Sequence, residues 1–118
     1  MRIERVMPVL TVPDVAQTVA FYERLGFKVT KQMEGWAMLQ HGEVEIMFSK
    51  PNDFMPHDKP LLTGALYFRV DDATPLWEKM KDTAKVSYPL QDFGYGTREF
   101  AILDPNGYLL QFAQELAD

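Results

Sequence analysis

Chemistry in this chain has to be built from carboxylates, amides, hydroxyls and aromatic rings, because cysteine is absent and histidine occurs only at His41 and His57. Without a thiol there can be no disulfide, no thiolate metal site and no cysteine nucleophile. His41 stands beside Gly42 in a turn and His57 in a proline-rich stretch, so both read as solvated loop residues. Ser49 and Ser87 have no Gly-x-Ser-x-Gly elbow and no plausible histidine base, and no phosphate loop is present. Aromatic residues are the richer resource. Trp36, Tyr67, Tyr88, Phe93, Tyr95, Phe100 and Tyr108 gather in expected strands and loops, where they could rim or floor a binding site. Stacking supplies about 0.5–1.5 kcal/mol per aromatic pair, whereas binding at about micromolar affinity needs roughly −8 kcal/mol. The remainder must come from burying a large flat ligand and from a few polar contacts. Glu45 could meet a cationic group, and Gln111 and Arg98 could offer hydrogen bonds. Trp36, which follows Gly35 at a strand start, and the loop Phe93-Gly94-Tyr95-Gly96, which its glycines let bend over a ligand, are the strongest aromatic candidates. Phe21, Tyr22, Phe27 and Trp77 sit on or beside helical stripes and read as core, as do Phe48, Phe68 and Phe112.

The elements that position these residues come twice. Val6 to Val12 is an apolar strand, Pro13-Asp14 an acidic turn, and Val15 to Leu25 a helix with Val15, Val19, Tyr22 and Leu25 on one stripe. Asp14 suits the N-cap and Gly26 the C-terminal stop. Strands follow over Phe27 to Met33, Trp36 to Gln40 and, after His41-Gly42, Val44 to Ser49. The second copy opens with Ala65 to Val70 and Asp71-Asp72, then a helix near Pro75 to Lys81. Val86 to Leu90 reads as a short strand, and Thr97 to Leu103 pairs with Tyr108 to Ala113 around Asp104-Pro105-Asn106-Gly107. Asp14 and Asp72 hold the same place, two residues after Val12 and Val70. The expected fold class is therefore α+β, built from duplicated strand-helix-strands units that wrap one cavity. The domain organisation expected is one domain over residues 1–118, with module one at about 1–55, a linker at about 50–63 carrying Pro51, Pro56 and Pro60, and module two at about 64–118.

A chain of 118 residues, 47% hydrophobic and 25% charged, is the size and composition of one ordinary globular domain. No run approaches the roughly 20 apolar residues of a membrane span, and Met1-Arg2-Ile3-Glu4-Arg5 lacks a signal peptide's apolar core. A cytoplasmic protein without a membrane partner is expected. The formal net charge of −5 disfavours nucleic acid, which demands a basic footprint, and mildly favours cationic or neutral ligands.

Two stretches carry a resemblance to a known family. Phe21-Tyr22-Glu23-Arg24-Leu25-Gly26-Phe27 after a strand and an acidic turn, and Asp104-Pro105-Asn106-Gly107 before the last strand, resemble the glyoxalase, bleomycin-resistance and extradiol-dioxygenase (vicinal oxygen chelate) superfamily. Gly35-Trp36-Ala37-Met38-Leu39-Gln40-His41-Gly42 and the Gly-rich turn Phe93-Gly94-Tyr95-Gly96-Thr97 resemble its bleomycin-resistance branch. The resemblance implies paired βαβββ modules forming a cupped mixed sheet, with helices on the outer face and usually completed in a homodimer. Enzymes of the superfamily hold a divalent metal that polarises vicinal substrate oxygens. Carried over, the four ligand positions fall on Met7, Glu45, Ala65 and Gln111. Superposing the two Gly turns would instead pair Gln111 with Ile46, and a one-residue slip in a strand reverses the face. The family motif favours Glu45.

Met7 and Ala65 cannot hold a borderline divalent ion, and a functional zinc site needs at least three protein ligands. What the resemblance then implies is a protein with no metal, no cofactor and no catalytic residue. It would bind and sequester an organic small molecule in a cleft, a cationic aromatic drug of the bleomycin kind being the model. The expected ligand-binding residues are Trp36, Glu45, Tyr67, Phe93, Tyr95, Arg98 and Gln111, with Met7 and Ala65 lining the cavity at the lost metal positions. By strand parity Tyr67 faces the side of Ala65, and Leu66, Phe68 and Val70 face the helices. The alternatives are a metal-dependent lyase, isomerase or dioxygenase of the glyoxalase kind, and a metabolite-binding protein of the same fold.

Overall fold

The computed structural model describes residues 1–57 and 59–117; residue 58 of the expected linker and the terminal Asp118 lie outside the described residues. The chain divides into two compact units, Met1–Pro60 and Leu61–Asp118. No described helix is long and apolar enough to cross a membrane.

The first unit runs β1 (Val9–Thr11), α1 (Val15–Arg24), β2 (Lys28–Met33), β3 (Trp36–His41) and β4 (Val44–Ser49). Its sheet has the order β1-β4-β3-β2, with β1 parallel to β4 and the other pairs antiparallel. Asp14 caps α1 by accepting from the Gln17 backbone N–H at 2.9 Å. The helix stops at Gly26, whose φ of +99° only a residue without a Cβ adopts freely. There Gly26 N–H donates to the Glu23 carbonyl and Phe27 N–H to that of Tyr22, which satisfies two carbonyls of the last helical turn. β1 is shorter than the expected Val6 to Val12. It is an edge strand with a single partner, and Pro8 just before it offers a carbonyl to Met47 but has no N–H to donate. Tyr22 leans from α1 onto Phe48 of β4, ring centroids 4.6 Å apart, over Leu10, Leu39 and Ile46. Each such side chain contributes about 1.5–3 kcal/mol on leaving water.

The second unit repeats the plan with β5 (Leu66–Val70), α2 (Ala73–Met80), β6 (Lys85–Phe93), β7 (Thr97–Leu103) and β8 (Leu109–Glu115), in the sheet order β5-β8-β7-β6. Two four-stranded mixed sheets, each with one helix, make this the α+β arrangement of βαβββ modules that the sequence predicts. α2 starts two residues before Pro75, because Asp72 caps it and accepts from Thr74 N–H at 3.2 Å. β6 is longer than the expected Val86 to Leu90, and its register against β7 shifts between Val86 and Tyr88 and again between Tyr88 and Gln91. Trp77 of α2 packs on Phe100, and Phe100 and Phe68 both stack on Phe112, with centroids 5.2–5.3 Å apart. The sequence places Phe100 among the ligand-facing aromatics. It is fully buried under the helix instead, since it alternates with Glu99 and so takes the opposite face.

Candidate functional site

With Phe68, Phe100 and Phe112 committed to α2, their neighbours Tyr67, Glu99 and Gln111 must emerge on the other face of the second sheet. There they meet. Glu99, in the middle of β7, is 1% exposed. Its Oε2 accepts from the Tyr67 hydroxyl at 3.2 Å and its Oε1 from the Tyr88 hydroxyl at 3.4 Å. The Tyr95 hydroxyl donates to the same Oε1. Gln111 closes the group, its Nε2 donating to the Tyr88 hydroxyl at 3.1 Å. Tyr67 and Gln111 are direct partners across the parallel β5–β8 ladder, so the backbone register itself brings them side by side.

Tyr88 joins because of the first irregularity in β6. Val86 pairs with Ile102 on the helix side, but after the shift Tyr88 pairs with Ala101 and turns to the side of Glu99. Phe93 and Tyr95 stack with centroids 5.2 Å apart, and Phe93 meets Tyr88 edge-on at 5.6 Å. Gly96, with φ +94°, closes the β6–β7 turn that carries Tyr95 over the carboxylate. Tyr67 and Tyr95 remain 49% and 68% exposed, so solvent reaches the rings although not Glu99. Both flanking hydroxyls, those of Tyr88 and Tyr95, hold their protons more tightly than free tyrosine does. Tyr95 is pushed up to about 12, first by its hydrogen bond to Glu99, and Tyr88 is raised first by burial.

Of the residues predicted from sequence, the fold thus gathers Tyr67, Phe93, Tyr95 and Gln111. It does not bring Arg98 to them. Arg98 alternates with Glu99, points to the other face, and forks onto Asp92 through Nε at 2.7 Å and Nη2 at 3.2 Å. The hydrogen bond to Asp92 raises the guanidinium further and lowers the Asp92 carboxyl. Glu99 and Tyr88 complete the group, and Glu99 is not among the residues predicted from sequence. The available signal is parity: Glu99 is the one carboxylate of its strand, directly ahead of the apolar run Phe100 to Leu103, and it alternates with Phe100.

The remaining predicted residues belong to the first unit. Glu45 of β4 lies on the face opposite the buried Ile46, paired across the ladder with Gln40, and Arg5 forms an ion pair with it. The rung that matches Tyr67–Gln111 is Val9–Met47, so the register of the repeat equates Gln111 with Met47 rather than with Ile46. Trp36 and Met38 are half-buried on the same face as Met47. Met7 and Ala65 lie just ahead of β1 and β5, both half-buried. An open groove of about 380 Å³ at Gly26, Lys28 and His41 contains none of the predicted residues.

The donor set does not fit the divalent metal that the fold family implies. Glu45 and Gln111 are the two oxygen donors among the four positions, and the thioether of Met7 and the methyl of Ala65 add no hard ligand. Among the described residues no three His, Asp or Glu side chains are grouped to hold a metal ion.

The structure is a duplicated βαβββ plan whose second sheet carries aromatic rings and hydrogen-bonding groups on the face away from α2. The chain belongs to the glyoxalase/bleomycin resistance protein/dioxygenase superfamily, whose model matches residues 2–112. It is 32% identical to a bleomycin resistance protein of Klebsiella pneumoniae over 94% of this chain and 92% of that one. Another, from Geobacillus stearothermophilus, is 28% identical over 93% and 96%. Among solved structures, a bleomycin-binding protein complexed with bleomycin superposes with a TM-score of 0.74 at 25% identity, covering 96% of this chain and 99% of that one.

Proposed function

We propose that this protein binds an organic small molecule in a cleft and sequesters it unchanged, with a bleomycin-type antibiotic as the model ligand. The observation that carries the proposal is the likeness, over more than nine-tenths of the chain, to proteins named for bleomycin resistance. A donor set too poor for a catalytic metal supports it, as do the aromatic rings left exposed on the open face of the second unit. The residues assigned to the ligand are Trp36, Glu45, Tyr67, Phe93, Tyr95 and Gln111, with Met7 and Ala65 shaping the space. Arg98 is left out of this set because Asp92 already holds its guanidinium. The protein acts as a homodimer, a reading that rests on family resemblance and is tested by sedimentation, and it acts in the cytoplasm, which cell fractionation tests.

Protection follows from affinity alone: at about micromolar Kd or tighter, near −8 kcal/mol, the drug is held away from its target with no bond made or broken. Calorimetric titration of the purified protein with metal-free and copper-loaded bleomycin is the test. Saturable heat at that affinity, and a loss of about tenfold or more in Trp36→Ala as expected for a stacking anchor, would support the reading. No saturation with either form would remove it.

A further inference from the structure

Glu99 is a buried carboxylate with no cation of its own. None of the described lysines or arginines forms an ion pair with it, and its three partners are neutral hydroxyls. Carboxylates withdrawn from water are normally paired with a positive group, because hydrogen bonds from neutral donors offset desolvation without cancelling the charge. Arg5, Arg69 and Arg98 each pair with a different acid, Glu45, Glu115 and Asp92. The Glu99 carboxylate thus lies, with no cationic partner among the described residues, behind three tyrosines, of which Tyr67 and Tyr95 are exposed.

We propose that Glu99, with Tyr67, Tyr88 and Tyr95 around it and Phe93 stacked on Tyr95, is a recognition site for an organic cation: an alkylammonium or guanidinium group attached to an apolar body. The geometry joins two attractions for one ligand group. The cation lies over the rings of Tyr67 and Tyr95, which attract positive charge through their π faces, and the carboxylate beneath adds a full countercharge. Gln111 does not touch the cation; it holds the Tyr88 hydroxyl in place and is a positioning residue. The hydroxyls donate inward to Glu99, so the ligand meets ring faces and the negative field behind them. The site lies wholly within the second unit. It names the ligand chemistry of the sequestration proposed above and, for bleomycin, rests on that reading.

The probe is benzyltrimethylammonium, with the neutral isostere neopentylbenzene as control, followed by NMR on the full chain. The expected result is saturable shifts of the Tyr67 and Tyr95 ring signals with the cation alone. Glu99→Gln keeps the shape and removes the charge, and should weaken binding about tenfold or more. Should that variant fail to fold, Tyr95→Ala decides the matter, because an exposed ring can be removed without disturbing the core; a loss of about threefold or more is expected from the missing cation–π contact. Equal binding of cation and isostere, or undiminished binding in whichever variant folds, overturns the proposal. A bleomycin titration of wild type and Glu99→Gln separates it from the broader reading. Bleomycin bound equally by both overturns the cation site and leaves sequestration standing. Charge-dependent binding of benzyltrimethylammonium without any bleomycin binding supports the site and removes the sequestration reading.

Discussion

On the first unit, the rung joining β3 to β4 sets Trp36 opposite Ser49; on the second, the matching rung of β7 and β8 sets Glu99 opposite Ala113. One step along, Met38 faces Met47 where Ala101 faces Gln111, and Val9 stands beside Met47 where Tyr67 stands beside Gln111. The backbones repeat while these side chains do not. On the helix side the likeness is far closer: Phe48 and Phe112 hold one position in the repeat, and Tyr22 or Trp77 comes down from the helix to cover the sheet. The difference follows from what each face must do. The helix face has to exclude water to hold the unit together, so apolar bulk is required there. The other face carries no such demand within its own unit. At the matching rungs one copy sets Trp36, Met38 and Met47, with Gln40 and the Arg5–Glu45 ion pair further along the same face, and the other sets a hydrogen-bonded acid and three phenols.

The largest test of that division is on the helix side. Phe100 and Ala37 occupy matching rungs, opposite Phe112 and Phe48, and the second unit relies on Phe100 for volume that Tyr22 supplies in the first. Phe100→Ala is expected to cost about 3–5 kcal/mol by urea denaturation, the usual result of emptying a well-packed aromatic site. A loss below about 1 kcal/mol would mean that the stacked phenylalanines do not carry the second unit.

Glu99→Gln gives a smaller change but separates two roles more sharply. A carboxylate serving the fold, once broken from its partners, destabilises by about 3–5 kcal/mol. One kept for a ligand is an unpaired buried charge in the free protein, so neutralising it should shift stability by less than about 1 kcal/mol or raise it. Denaturation of the ligand-free variant distinguishes the two. A loss at the larger figure would make Glu99 a structural acid, and the contrast between the two open faces would then concern packing.

How much of this is legible in the sequence depends on the range of the forces involved. The Asp14 cap, the Gly26 stop, the Asp104–Gly107 turn and the repeat itself are local patterns, and the structure has them where the residues indicate. The group around Glu99 is assembled from β5, β6, β7, β8 and a turn, and no short window contains it. Tyr67 and Gln111 can be placed on one face by parity alone. Tyr88 cannot, because the shift in β6 breaks the period of two on which that counting depends. Arg98 looks available because its sequence neighbours are Thr97 and Glu99; its actual partner, Asp92, lies across the hairpin. Glu45 draws attention through family resemblance, and the same resemblance draws it away from the acid at the centre of the second unit.

The finest test uses pH. The Tyr95 hydroxyl, ordinarily ionising near 10, is pushed up to about 12, chiefly because it donates to Glu99. Tyr88 is raised first by burial and only secondarily by Glu99. In the unfolded chain Tyr95 loses its proton near 10, earlier than in the folded one. Whatever stability the bond adds is therefore fully present below that pH and is lost as pH rises through the folded value. Ring signals of Tyr95 followed by NMR against pH should accordingly titrate late in the wild type. In Glu99→Gln they should move back toward about 10, since an amide oxygen carries no charge to hold the proton. Tyr88 should move less, because that substitution leaves its burial in place. If Tyr95 titrates as free tyrosine in the wild type, its hydroxyl is not held by Glu99 in solution. The second unit's open face would then lack one side of the ring that distinguishes it from the first.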